Sequence, residues 1–106
     1  MSAQTMSDVA VPLRALRLLA ADFPALPAAT VGVSTIFPDR LDVSFHDDFG
    51  AFEAWRSALG IDPATVTYGE QSGGRTRVLT AWADYVGARL RLVGYSTHPD
   101  HLGGAE

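Results

Sequence analysis

Apolar and polar residues alternate along residues 73–95, on both sides of a break at residues 84–87. A two-residue period of this kind belongs to paired strands with one face buried. The chain must therefore build a sheet, and that sheet must carry Arg75, Arg77, Arg89 and Arg91. A two-residue Gly73-Gly74 turn supplies the positive φ angles that tight hairpins need. It sets Tyr68 opposite Leu79 and puts Leu79, Ala81 and Ala83 on the core face. A two-residue turn within residues 84–87 adds Leu90 and Leu92 to that face. Trp82 then lies outside, across from Arg89 or Arg91. A three-residue loop turns Trp82 inward instead. The first register is preferred, because small Ala81 and Ala83 leave room for Phe52 and Trp55 above the sheet.

The preceding residues supply the rest of a two-layer fold. Ser7 or Asp8 can cap a helix, with Pro12 tolerated in its first turns. Val9, Leu13, Leu16, Leu19 and Ala20 recur at helical spacing with Arg14 and Arg17 opposite. Pro24 disfavours helical geometry at Phe23, so the helix should stop near Ala21 or Asp22. Residues 30–37 are rich in β-branched types and read as a strand, followed by a Pro38-Asp39-Arg40 turn. Leu41, Val43 and Phe45 alternate with polar residues in a second strand, antiparallel to the first. Asp47 or Asp48 caps a second helix on which Phe52, Trp55 and Leu59 share a face. Gly60 suits the left-handed position after its end, and Ile61 suits the fold-back that follows. Residues 65–69 form a third strand. The expectation is a single α+β domain spanning residues 1–106, ordered over about 8–97, with residues 1–6 and 98–106 flexible. It has the order α-β-β-α-β-β-β: an antiparallel sheet of about five strands with two helices on one face.

Composition narrows the function classes. The chain has no cysteine, which excludes disulfides and thiolate chemistry. At 106 residues with 47% hydrophobic content it can bury a core without metal or disulfide staples. The apolar-rich run over residues 9–21 is short and is interrupted by Pro12, Arg14 and Arg17, so it should not span a bilayer. The N-terminus shows no basic region followed by a hydrophobic core, so a cytoplasmic protein is expected. All eight basic residues are arginine, and the net charge is −4. That charge argues against a general nucleic-acid binder. Its distribution is uneven: acidic residues crowd residues 39–53, whereas residues 75–91 hold four arginines and only Asp84.

Three constellations could carry chemistry. His98 and His101, flanking Asp100, are candidate metal ligands, but a terminal segment supplies no second shell and no metal is expected. His46-Asp47-Asp48 could suggest a general base, yet adjacent strand residues face opposite ways, so a strand end and helix cap explain it better. The 72–75 loop lacks the lysine and the following helix of a phosphate-binding loop. No catalytic residue and no cofactor are expected. In the preferred register, Trp82, Arg89, Arg91 and Tyr95 form an exposed aromatic–arginine patch, with Arg75 and Arg77 nearby. Such side chains are enriched at interface hot spots, and arginine stacks on tryptophan.

Residues 52–56 (Phe-Glu-Ala-Trp-Arg) and 91–95 (Arg-Leu-Val-Gly-Tyr), with the order of elements, resemble small uncharacterised actinobacterial α+β proteins, some of them near mobile elements. The resemblance implies a bacterial cytoplasmic protein and carries over no catalytic residues. The leading expectation is a non-enzymatic protein-interaction or regulatory domain, including self-association as a homodimer. One alternative is a nucleic-acid accessory protein using Arg75, Arg77, Arg89 and Arg91. Another is a small-molecule binding protein or enzyme with a pocket between helix and sheet.

Overall fold

The structure is a computed structural model and describes residues 3–97. A 3₁₀ turn at Met6–Val9 leads into helix α1 (Ala10–Asp22), followed by strands β1 (Thr30–Val33) and β2 (Arg40–His46) and helix α2 (Phe49–Ala58). A second 3₁₀ turn, Pro63–Thr65, precedes β3 (Thr67–Gln71), β4 (Thr76–Tyr85) and β5 (Ala88–Thr97). The Thr5 backbone N–H donates to the Asp8 carboxylate (2.8 Å), so the first helical turn starts at Thr5 rather than at the expected Ser7 or Asp8, with Asp8 reaching back to it.

The sheet is mixed rather than wholly antiparallel, which corrects the sequence-based expectation. Its strand order is β1-β2-β5-β4-β3. β1–β2, β3–β4 and β4–β5 are antiparallel, but β2 and β5 run parallel, with Leu41 beside Leu90 and Val43 beside Leu92. The chain leaves β2 through α2, places β3 at the far edge, and walks back through β4 to β5. Parallel neighbours need a long crossover, and here α2 together with the β3–β4 hairpin provides it. Hydrophobic content explains why β5 takes the centre. Ala88, Leu90, Leu92 and Val93 are all buried, so β5 feeds apolar side chains to the core along its length while Arg89 and Arg91 alternate with them on the outer face.

Both hairpin registers agree with the preferred reading. Tyr68 lies opposite Leu79, and Trp82 opposite Arg91. The β4–β5 turn has positive φ at Val86 (50°) and Gly87 (82°), the mirror-image geometry that suits strand twist. A β-branched residue sits uneasily in that region, at a cost of roughly 1–2 kcal/mol, which the ten-residue strands on either side offset.

The core lies between one sheet face and the two helices. Leu41, Val43, Phe45, Leu90, Leu92 and Ala81 meet Ala15, Leu19, Phe52 and Trp55 there. Helix α1 is rotated relative to its apparent apolar stripe. Pro12, Ala15 and Leu19 face the sheet, Leu16 is only partly buried, and Leu13 is exposed. Ala15 has no side chain beyond Cβ, so the helix can approach the sheet closely along that line.

Helix α2 is bounded as expected. The Asp48 carboxylate accepts from Ala51 N–H (2.9 Å) at its start. At its end, Gly60 N–H bonds to the Ser57 carbonyl and Ile61 N–H to the Arg56 carbonyl, with Gly60 at φ 68°. Ile61 then folds back into the core. The Trp55 indole N–H reaches the Pro27 carbonyl (2.8 Å) and fastens α2 to the connector after α1. The Tyr85 hydroxyl donates to the Asp22 carboxylate, linking β4 to the end of α1. That hydrogen bond raises the phenol above its ordinary pKa.

Candidate functional site

The sheet face opposite the helices carries Arg40, Asp42, Ser44 and His46 from β2. From β5 come Arg89, Arg91, Val93 and Tyr95, and from β4 come Val78, Thr80, Trp82 and Asp84; strand alternation and the register fix this set. Two cross-strand rows at one end hold the charged groups. Arg40 stands beside Arg89, which faces Asp84; Asp42 stands beside Arg91, which faces Trp82.

Three guanidiniums share two carboxylates there. Arg89 pairs with Asp84 at 3.2 Å. Asp42 Oδ1 lies 3.1 Å from Arg40 Nε and 3.8 Å from Arg91 Nη1. Neither Asp42 Oδ1 nor Arg40 Nε, both buried atoms, has an aligned hydrogen bond. The Asp42 contacts are thus Coulombic rather than directional, and one carboxylate is divided between two cations. The arginines also lean on aromatic rings. The Arg89 guanidinium carbon is 5.0 Å from the Trp82 ring centroid, that of Arg91 is 6.0 Å from it, and that of Arg40 is 3.9 Å from Phe37.

Of these groups, Arg40, Arg89, Phe37 and Trp82 border an open cleft of about 370 Å³ between the β1–β2 turn and the β4–β5 hairpin. Ile36, Phe37, Pro38 and Trp82 contribute apolar surface, and Arg40, Arg89 and Asp39 supply charged groups of both signs. The turn is held at several points. Arg89 N–H donates to the Asp39 carbonyl (2.9 Å) and Arg40 N–H to the Phe37 carbonyl (3.0 Å). Ile36 N–H donates to Ser34 Oγ (3.1 Å), and the Gln4 amide donates to the Thr35 carbonyl (3.0 Å). A wall anchored in this way needs little ordering on binding.

The residues singled out from the sequence fall in four places. Trp82, Arg89 and Arg91 come together on the outer face. Tyr95 shares that face but lies four residues farther along β5, about 13 Å away at strand rise, and stacks on His46 (5.1 Å, 11°). Arg77 points to the opposite face, where it lies over Phe49 (5.4 Å) and donates to Ser96 Oγ (3.4 Å). Arg75 sits in the β3–β4 turn. Ile36 and Phe37 were hidden in the sequence by the reading of residues 30–37 as strand, and Arg40 by its assignment to the following turn. β1 ends at Val33, and Pro38 is the one local sign that the chain has already turned away.

The other candidates are also located. Asp48 caps α2, while Asp47 adopts φ 56° and accepts Thr97 N–H (3.0 Å), so His46, Asp47 and Asp48 diverge. His98 and His101 lie outside the described residues. Among the described residues, no group of three or more histidine or acidic side chains is placed to hold a metal ion, and no helix is long and apolar enough to cross a membrane. A second cleft, about 330 Å³, lies between α1, the following connector and β1; Leu16, Phe23 and Trp55 line it, and its indole N–H is already bonded.

No protein-family model matches the chain, and no curated protein shows significant similarity to it.

Proposed function

We propose that this chain is a non-enzymatic protein-interaction domain whose contact surface is the outer sheet face around Trp82. The observation that carries this reading is the convergence of exposed apolar side chains with arginines at one anchored cleft. Ile36 is 78% exposed, Phe37 49% and Trp82 39%, and all three border the space flanked by Arg40 and Arg89. Exposed aromatic and arginine side chains grouped in this way are typical of binding hot spots. The cleft between helix and connector, lined by apolar side chains, offers less for catalysis. The nucleic-acid reading draws less support, because Arg77 is on the opposite face and Asp42 and Asp84 interrupt the remaining cations. In this reading the chain belongs with small bacterial cytoplasmic interaction proteins, in keeping with the resemblance at residues 52–56 and 91–95.

The double variant Arg89→Glu/Arg91→Glu tests it. Both side chains are at least a third exposed, so each lost pair should cost about 1 kcal/mol or less, with up to about 1 kcal/mol more for each new glutamate set against Asp84 or Asp42. Immobilised wild-type protein and the variant would be compared for partner capture from an extract of the native host. The expected result is a protein partner retained by wild type and reduced about tenfold or more with the variant. Equal capture by a folded variant would overturn the assignment of this face. A captured species that disappears on nuclease treatment and elutes steeply with salt would favour the nucleic-acid reading.

A further inference from the structure

We propose that the edge strand β3 pairs antiparallel with β3 of a second copy of this chain, about a two-fold axis at Gly69, so that two domains share one continuous sheet. The sheet has two edges, β1 and β3. Every residue of β3 is exposed, and its principal neighbour among the described elements is β4. The alternation of the ladders shows which backbone groups are free. The two-residue turn after Tyr85 makes Tyr85 and Ala88 a hydrogen-bonded pair, and such pairs alternate along an antiparallel ladder. Odd-numbered residues of β4 therefore bond to β5, and even-numbered ones to β3. Thr67, Gly69 and Gln71 are the partners of Thr80, Val78 and Thr76. The backbone N–H and C=O of Tyr68 and Glu70 consequently point away from the sheet. Open edges are commonly blunted by lysine, proline or a bulge. β3 has no lysine and no proline, and its register with β4 runs without a bulge. Its single charge, Glu70, stands opposite Arg77.

This edge is complementary to itself. With Gly69 facing Gly69 of the second copy, Tyr68 faces Glu70 of the second copy, and the reverse. Both pairs then exchange backbone hydrogen bonds. The Tyr68 hydroxyl already donates to the Glu70 carboxylate of its own strand (2.9 Å), so the same donor and acceptor can meet across the seam. The facing glycines keep the close position on the axis clear of side chains. Other symmetric registers fit less well. An axis at Glu70 sets carboxylate against carboxylate, and an axis at Tyr68 sets Glu70 against Val66. A two-fold pairing of this kind closes on itself and leaves neither β3 edge open. Its axis is perpendicular to the sheet, so the helices of both copies lie on one side and both Trp82 surfaces remain open on the other. The pairing therefore does not depend on the reading of the Trp82 surface.

The chain has no cysteine, so a single Gly69→Cys substitution reports on the axis directly. A Cβ there has no neighbour within 4 Å. Facing residues at a non-hydrogen-bonded position have Cα atoms about 4.5 Å apart, within the span of a disulfide. Mild oxidation of the full chain should give a covalent dimer at least about tenfold faster than it does for Gly32→Cys, a control on the other edge strand whose Cβ is equally unobstructed. Sedimentation of wild type should show a reversible dimer forming between about 10 µM and about 1 mM, as suits a small interface. Glu70→Pro removes an N–H that β4 does not use, and the residue before it is the permissive Gly69. It should leave the circular dichroism unchanged and weaken the dimer about tenfold or more. Tyr68→Glu, which sets like charges across the seam, should weaken it about fivefold, whereas Tyr68→Lys should not.

A wild-type chain that stays monomeric to about 1 mM, or equal cross-linking at Gly69→Cys and Gly32→Cys, would overturn the proposal. So would a dimer as tight in Tyr68→Glu as in Tyr68→Lys, a comparison that holds even if the proline variant does not fold. A dimer indifferent to both Tyr68 variants but lost in Arg89→Glu/Arg91→Glu would overturn it in favour of pairing through the Trp82 surface. If no dimer forms while Arg89→Glu/Arg91→Glu still loses a protein partner from host extract, the edge pairing falls and the interaction reading stands.

Discussion

Trp55→Ala is expected to lower the free energy of unfolding by about 3–5 kcal/mol, a large share of the 5–15 kcal/mol typical of a domain. The indole is 6% exposed and packs edge-on against Phe45 (5.9 Å). Its removal takes away that apolar contact and opens a cavity. It also ends the hydrogen bond to the Pro27 carbonyl. The latter loss is the smaller term, because the connector borders an open cleft through which water can reach that oxygen. Trp55→Phe should therefore recover most of the loss, falling short of wild type by about 1–2 kcal/mol. Urea denaturation followed by circular dichroism measures both. An unchanged midpoint for Trp55→Ala would refute the placement of α2 on the sheet.

Gly94→Val should destabilise by about 2–3 kcal/mol, for the opposite reason. Gly94 lies on the core face of β5, under α2. A Cβ there would stand 3.2 Å from Phe49 Cδ1 and 3.3 Å from Phe52 Cδ2. One methyl group asks both rings to yield by a few tenths of an ångström. Against that stands the intrinsic disadvantage of glycine in a strand, which is worth up to about 1 kcal/mol. Gly94→Ala should thus come out near neutral. The γ-methyl groups of valine find no such compensation, because Phe52 is already fixed edge-on to Phe45 (6.2 Å, 87°). Thermal unfolding of the two variants would separate the cases. A valine variant as stable as wild type would show that α2 does not press on β5 at this point.

Local pattern recovered much of this architecture, and the reasons are physical. Alternation placed Leu41, Val43 and Phe45 in the core because a strand's side chains must divide between two faces. The two hairpin registers followed from turns whose positive φ angles admit few solutions, and with them Trp82 fell on the outer face beside Arg91. The helix end at Gly60-Ile61 was equally local. What was not legible depends on contacts between distant segments. Nothing near β2 says that its second neighbour is β5, or that the two run parallel. The rotation of α1 follows from how closely Ala15 can approach the sheet, which helical periodicity alone does not encode. The candidate site shows the same division. Trp82, Arg89 and Arg91 were found through their register. Ile36, Phe37 and Arg40 complete the cleft only because a turn folds over onto a hairpin some 50 residues away, where Asp39 meets Arg89.

The parallel pairing of β2 with β5 also bears on the order of events as the chain folds. Every pair along that seam, from Arg40 beside Arg89 to His46 beside Tyr95, joins residues 49 positions apart. Closing a loop of that length costs roughly 3.4 kcal/mol of chain entropy beyond a constant term. The β1–β2 and β4–β5 hairpins close over far shorter spans and can form without it. Contact order accordingly places the rate-limiting step at the joining of two preformed hairpins across the middle of the sheet. Substitutions at the β4–β5 turn should then change the folding rate, while substitutions confined to the outer edge strand β3 should act chiefly on unfolding. Stopped-flow kinetics of such variants would show the reverse pattern if the seam closed first.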